Sequence, residues 1–128
     1  MPGQRIWNAS LLLLLIGCAC GPPADPAFEA LRTRLLESTW DDFRIADIIN
    51  SGDGAIVRVN VYLTPPPADD SETRRRTLNA LTAVRTIATD DRRVAVWSLD
   101  EEALTVRGMA FYSPSTDSTT YKTADEIQ

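Results

Sequence analysis

The stretch Val57-Arg58-Val59-Asn60-Val61-Tyr62-Leu63 constrains the fold of this chain more than any other, because apolar and polar side chains alternate through it without a break. Strict alternation suits a pleated strand with one covered face and one wetter face. Both ends are marked. Asn50-Ser51-Gly52-Asp53-Gly54 before it consists of residues that tolerate positive φ, and reads as the turn of a β-hairpin whose first strand is Phe43 to Ile49. Thr64-Pro65-Pro66-Pro67 after it stops the ladder, since proline has no N–H to donate.

A strand with one covered face needs a covering layer. Asp25-Pro26 reads as an N-cap and first helical residue, and Phe28, Leu31 and Leu35 recur at helical spacing, which predicts a helix from Pro26 to Ser38. Asp69 stands three residues before Glu72, a variant capping box, and Leu78, Leu81, Val84 and Ala88 follow on one side. That predicts a second helix from Ser71 to Ala88. Arg93 to Leu99 and Leu104 to Tyr112, around Asp100-Glu101-Glu102, read as a second hairpin. Ser115 to Gln128 is rich in Ser, Thr and Asp and lacks a period, so residues 114–128 are expected to be a mobile polar tail. The expected fold is α+β: a two-layer αββαββ sandwich over residues 26–113, with a four-stranded, largely antiparallel sheet and two helices on one face.

Residues 26–63 and 71–112 both read helix, strand, strand, and can be laid over each other at an offset of 49 residues. Asp41, Asp42, Arg44 and Ala46 then fall on Asp90, Asp91, Arg93 and Ala95, and Val57-Arg58 on Val106-Arg107. Either the halves are duplicated units or two amphipathic hairpins agree by composition. With Val57 and Val106 inward, Arg58, Tyr62, Arg107, Met109 and Phe111 project from the open face of the sheet. Such a mixture of arginine, aromatic and methionine side chains suits contact with a protein or ligand; the alternative is an ordinary solvated face. Gly108, inside the last strand, marks a bulge or the close approach of another backbone.

The chain has no histidine, which removes Ser-His and Cys-His pairs and imidazole metal sites. Its single lysine, Lys122, lies in the expected tail. Asp41-Asp42, Asp69-Asp70, Asp90-Asp91 and Asp100-Glu101-Glu102 fall at expected turns or helix starts, where aspartate caps backbone N–H groups. A carboxylate-only hydrolase is the enzymatic alternative to that capping role. The loop 50–54 lacks the ligand density and closing glutamate of an EF-hand. Neither a metal nor a cofactor is expected. Arg74-Arg75-Arg76 could hold an anion, but successive helical positions fan around the axis, and Asp69, Asp70 and Glu72 stand ready to pair with them.

The amino-terminal segment carries a different kind of information. The apolar run Leu11 to Ile16 follows Arg5 and ends in Leu15-Ile16-Gly17-Cys18. It is too short for a bilayer, which takes roughly 20 apolar residues. It resembles the signal of bacterial lipoproteins, with Leu15, Gly17 and Cys18 in the lipobox positions. The resemblance implies that residues 1–17 are removed between Gly17 and Cys18, that Cys18 is lipidated, and that 18–25 form a short tether. Several acyl chains hold a protein on a membrane far better than one. It also leaves Cys20 without an intramolecular disulfide partner. Ala19 follows the cysteine in place of the aspartate that retains enteric-type lipoproteins, which favours the outer membrane over the inner, facing the periplasm. Removing residues 1–17 takes away Arg5 alone and leaves 12 basic against 18 acidic side chains. An acidic domain is not one for nucleic acid.

Asp53-Gly54 entering a strand, with Arg74 to Ile87 as the next helix, is similar to the element order of the BON domain, a module of bacterial envelope proteins associated with phospholipid binding. The strand Val57 to Val61 lacks that family's glycine, and Asp91-Arg92-Arg93-Val94 replaces its Gly-Val, so no binding residues carry over. The expected function is therefore that of a lipid-anchored envelope protein, non-enzymatic, binding another envelope protein through its sheet face. A BON-like phospholipid-binding module is the alternative.

Overall fold

Five strands form one sheet in the order β1 (Phe43–Ser51), β2 (Ile56–Leu63), β3 (Arg93–Leu99), β4 (Val106–Ser113) and β5 (Ser118–Thr123). Among the described residues three helices accompany them: α1 (Pro26–Glu37), α2 (Asp70–Arg85) and the single turn α3 (Ala124–Ile127). This computed structural model describes residues 25–51, 56–89 and 92–127. The signal segment, Cys18, Cys20, most of the tether, the hairpin turn 52–55 and Asp90-Asp91 lie outside the described residues. Among the described residues no helix is long and apolar enough to cross a membrane.

Both long helices start where the sequence caps them. The Asp25 carboxylate accepts from the Phe28 N–H at 3.0 Å with Pro26 at N1, and the Asp69 carboxylate accepts from the Glu72 N–H at 2.8 Å. Each cap satisfies a helical N–H that has no partner within the helix. Helix α2 ends at Arg85, earlier than its apolar spacing suggests, because the Ile87 and Ala88 amides both turn back to the Val84 carbonyl.

β2 pairs antiparallel with β1 and parallel with β3; β3–β4 and β4–β5 are antiparallel. The parallel pair follows from α2, which carries the chain back to the starting end of β2 before β3 begins. Val57, Val59 and Val61 on β2 and Val94 and Val96 on β3 are wholly covered, together with Leu35 of α1 and Leu81 and Val84 of α2. Fully burying an aliphatic side chain of this kind contributes roughly 1.5–3 kcal/mol. All belong to one core, so both long helices lie on the same face. Within it, the Thr77 and Ser98 hydroxyls meet at 2.9 Å and reach the carbonyls of Thr73 and Gly108.

The α+β class stands as expected, with two corrections. The sheet has five strands rather than four, and residues 114–128 are not a free tail but supply β5 and α3. Tyr121 is the cause: it packs against the core beside Gly108 while Thr120 and Lys122 take the opposite face. Tyr112 Oη donates to Asp117 at 2.9 Å and closes the β4–β5 turn. What approaches Gly108 is thus a side chain, not a backbone.

The strand directions bear on the two halves. β2 and β3 run parallel at the centre and β1 and β4 flank them, so the two hairpins present opposite hands to a helical layer on one face. No rotation superposes one helix-strand-strand half on the other.

Candidate functional site

The face of the sheet away from the helices is built from side chains that alternate with the core valines. Register places them in cross-strand rows. One runs Ile49, Arg58, Ala95, Phe111, Thr120; the next runs Asp47, Asn60, Trp97, Met109, Lys122. Nearest neighbours in a row lie on strands about 4.7–4.9 Å apart, so each row is a continuous line of contact.

A hollow of about 430 Å³ opens on these rows, lined among others by Ile56, Arg58, Ala95, Trp97, Phe111 and Lys122. Its floor is Ala95, 3 % exposed. The alanine is the smallest side chain in its row, and Arg58, Phe111 and Trp97 rise around it. Arg58 is held in place from two sides. Its guanidinium lies 3.8 Å from the centroid of the Trp97 ring, and its Nε donates to Asn60 Oδ1 at 2.9 Å. A guanidinium flat against an indole gains cation–π attraction, more so when desolvated. Burial lowers the Arg58 pKa from its ordinary value and the Asp47 charge opposes that shift, but an arginine stays charged throughout. Lys122 stands on the far side of the hollow. Neither cation forms an ion pair among the described residues.

Of the five residues singled out from sequence, Arg58, Met109 and Phe111 line this hollow. Tyr62 and Arg107 do not. They line a second hollow of about 500 Å³ at the end of the sheet where Pro66 and Pro67 leave β2. Arg44 stacks on Tyr62 at 4.8 Å and bonds Glu101. Arg107 is the extra residue of a bulge: Ser98 pairs with Gly108 but Leu99 pairs with Val106. The bulge puts Val106 opposite Leu99, on the open face, where strict alternation places it inward. Arg107 then donates to Asp100 at 2.7 Å.

In two of the acidic runs, Asp69 and Asp100 serve the backbone. Asp100 accepts from the N–H groups of Glu102 and Ala103, and these bonds with the Ala103 contact foremost hold its carboxyl below the ordinary carboxylate value. Asp69 caps α2, and among the described residues no three His, Cys, Asp or Glu side chains gather as a metal site. In the basic run, Arg76 is buried, donating to the carbonyls of Pro65 at 2.6 Å and Asp42 at 3.0 Å and pairing with Glu72. Arg74 lies over the Tyr121 ring.

Trp97, Ala95 and Lys122 also line the hollow and are not among the five residues singled out from sequence. Trp97 and Ala95 were legible: they alternate with Val94, Val96 and Ser98, so they share a face with Arg58. Lys122 was hidden by the polarity of the segment that carries it. No protein-family model, curated protein or solved structure matches this chain.

Proposed function

We propose that this chain is a lipid-anchored bacterial envelope protein, joined to the membrane through Cys18, whose non-enzymatic α+β domain binds another envelope protein with its open sheet face. The supporting observation is the face itself: Ile56, Trp97, Met109 and Phe111 lie half-buried with two cations among them, and no helix of the described residues lies over them. Aromatic, methionine and arginine side chains are enriched at the centres of protein interfaces. The anchor reading adds a geometric limit. Six residues lie between Cys18 and Asp25, so the seven backbone steps reach about 25 Å at most. Asp25 contacts Asn50 near the end of β1, and Ser51 and Ile56 of the hollow lie at that same end, so the face starts close to the membrane.

Two measurements test this. Palmitate labelling of intact cells is expected to mark the wild type and not Cys18→Ala; an unlabelled wild type ends the anchored reading. A photo-crosslinking benzoylphenylalanine at Met109 is expected to give a protein adduct that disappears with Trp97→Ser. An adduct with phospholipid alone would instead support the lipid-binding alternative.

A further inference from the structure

From the hollow over Ala95 we infer the chemistry of that partner: it presents an acidic segment with a bulky apolar or aromatic anchor, the anchor seated on Ala95 and carboxylates meeting Arg58 and Lys122. This rests on the reading of the open face as an interaction surface and adds what the surface selects. The volume, about 430 Å³, lies within the roughly 300–1,000 Å³ of sites that enclose a ligand-sized group. Its walls are apolar, from Ile56, Trp97, Met109 and Phe111, and its two charged groups are both cations.

Charge decides among occupants. The chain as a whole carries a net charge of −5, yet the rows across the open face place Arg58 and Lys122 against Asp47 as the single acid. Arg93, paired with Ile56, adds a third cation beside the hollow. A second copy brought face to face would set cations against cations, which costs several kcal/mol where like charges are juxtaposed. A basic partner meets the same repulsion. An acidic one meets charges of opposite sign at Arg58 and Lys122 and keeps the apolar contacts. Arg58 is also prepared for the role: Trp97 and Asn60 fix its plane before binding, so little side-chain entropy remains to be lost, and a fixed guanidinium fork matches a carboxylate.

The test uses the full chain in mild detergent and three fluorescent decapeptides read by anisotropy: alternating Glu and Phe, alternating Lys and Phe, and alternating Glu and Ser. The Glu-Phe peptide is expected to bind, and the other two to bind at least about tenfold more weakly, in line with the loss of an apolar anchor or of charge complementarity. Ala95→Leu fills the hollow from the open face and leaves the core untouched; it is expected to weaken Glu-Phe binding about tenfold or more. Arg58→Gln with Lys122→Gln is expected to do the same by an independent route, with melting curves checking that both variants fold. Equal binding of the Glu-Phe peptide to the wild type and both variants, or no binding at all, overturns the inference. So does displacement of the peptide by dihexanoylphosphatidylglycerol at concentrations where the peptide itself competes poorly, which would make the occupant a lipid. A protein adduct at Met109 in cells, mapped to a segment without acidic residues, would overturn the acidic partner and leave the interaction surface standing.

Discussion

At Gly108, inside β4, a side chain has no space. A Cβ built there would lie 2.0 Å from the Tyr121 hydroxyl oxygen and 2.7 Å from Cζ, and a tyrosine ring cannot yield as a flexible chain end does. The contact matters because Tyr121 is the residue that draws β5 onto the core. Gly108→Ala is expected to destabilise the protein by about 1–3 kcal/mol, the usual range for forcing extra volume into a packed site. Tyr121→Ala is expected to cost stability by itself, and the double variant to cost clearly less than the sum, since the clash needs both partners. Urea unfolding of the four proteins measures this cycle; strictly additive losses would show that the tyrosine does not oppose the new methyl group. The glycine was visible in the sequence as an anomaly within a strand, but its partner was not. Ser118 to Thr123 offers one apolar-bodied side chain among hydroxyls, so hydrophobic alternation is silent there, although its three threonines favour extended backbone.

Elements were legible where they carry their own punctuation. Asp25-Pro26 and Asp69 announce helix starts, and the proline run announces the end of β2; these signals are local and need no knowledge of what packs on them. Arg76 shows where local reading stops. In Arg74-Arg75-Arg76 the three side chains are chemically identical, and only helix phase separates them: Thr73, Arg76, Thr77, Ala80, Leu81 and Val84 form the buried stripe of α2. Arg76 thereby fastens α2 to the loop after β2 and to the start of β1 through two carbonyls 11 and 34 residues away in sequence. Hydrogen bonds to a charged group contribute about 1.5–3 kcal/mol. Arg76→Ala is expected to destabilise by about 2–4 kcal/mol, through these bonds and the carbonyl left without a donor. Arg76→Lys is expected to restore only part of that, because an ammonium cannot span two carbonyls with a planar fork. Arg75→Ala, on the exposed side of the same run, is expected to stay within about 0.5 kcal/mol of wild type. Denaturant midpoints at unchanged slope distinguish the three; equal effects at positions 75 and 76 would contradict the clamp.

The sheet order and the parallel pairing of β2 with β3 depend on contacts between distant segments, which no local pattern in the sequence specifies. One such contact ties the point where the tether enters to the far half of the chain: Asp25 receives Arg92 Nη2 at 3.0 and 3.1 Å while capping α1. Hydrogen bonding from Arg92 first, then from the Phe28 amide, lowers the Asp25 pKa below its ordinary 3.8. The ionised form is therefore favoured by folding, so its contribution is complete above pH 3.8 and is lost as pH falls through the lowered folded value. Asp25→Asn separates the two roles, since an asparagine oxygen still caps the helix but carries no charge to pair with Arg92. At neutral pH the wild type is expected to melt above the variant, by a modest margin because the carboxylate is 34 % exposed and water screens the pair. Asp100 and Glu126, also lowered by hydrogen bonds, give both proteins the same acid sensitivity and cancel in the difference. The gap in melting temperature should hold at moderate pH and close once acid protonates Asp25. A gap that stays constant down to pH 2 would mean that the charge of Asp25 contributes nothing and that only its cap ties the tether to the fold.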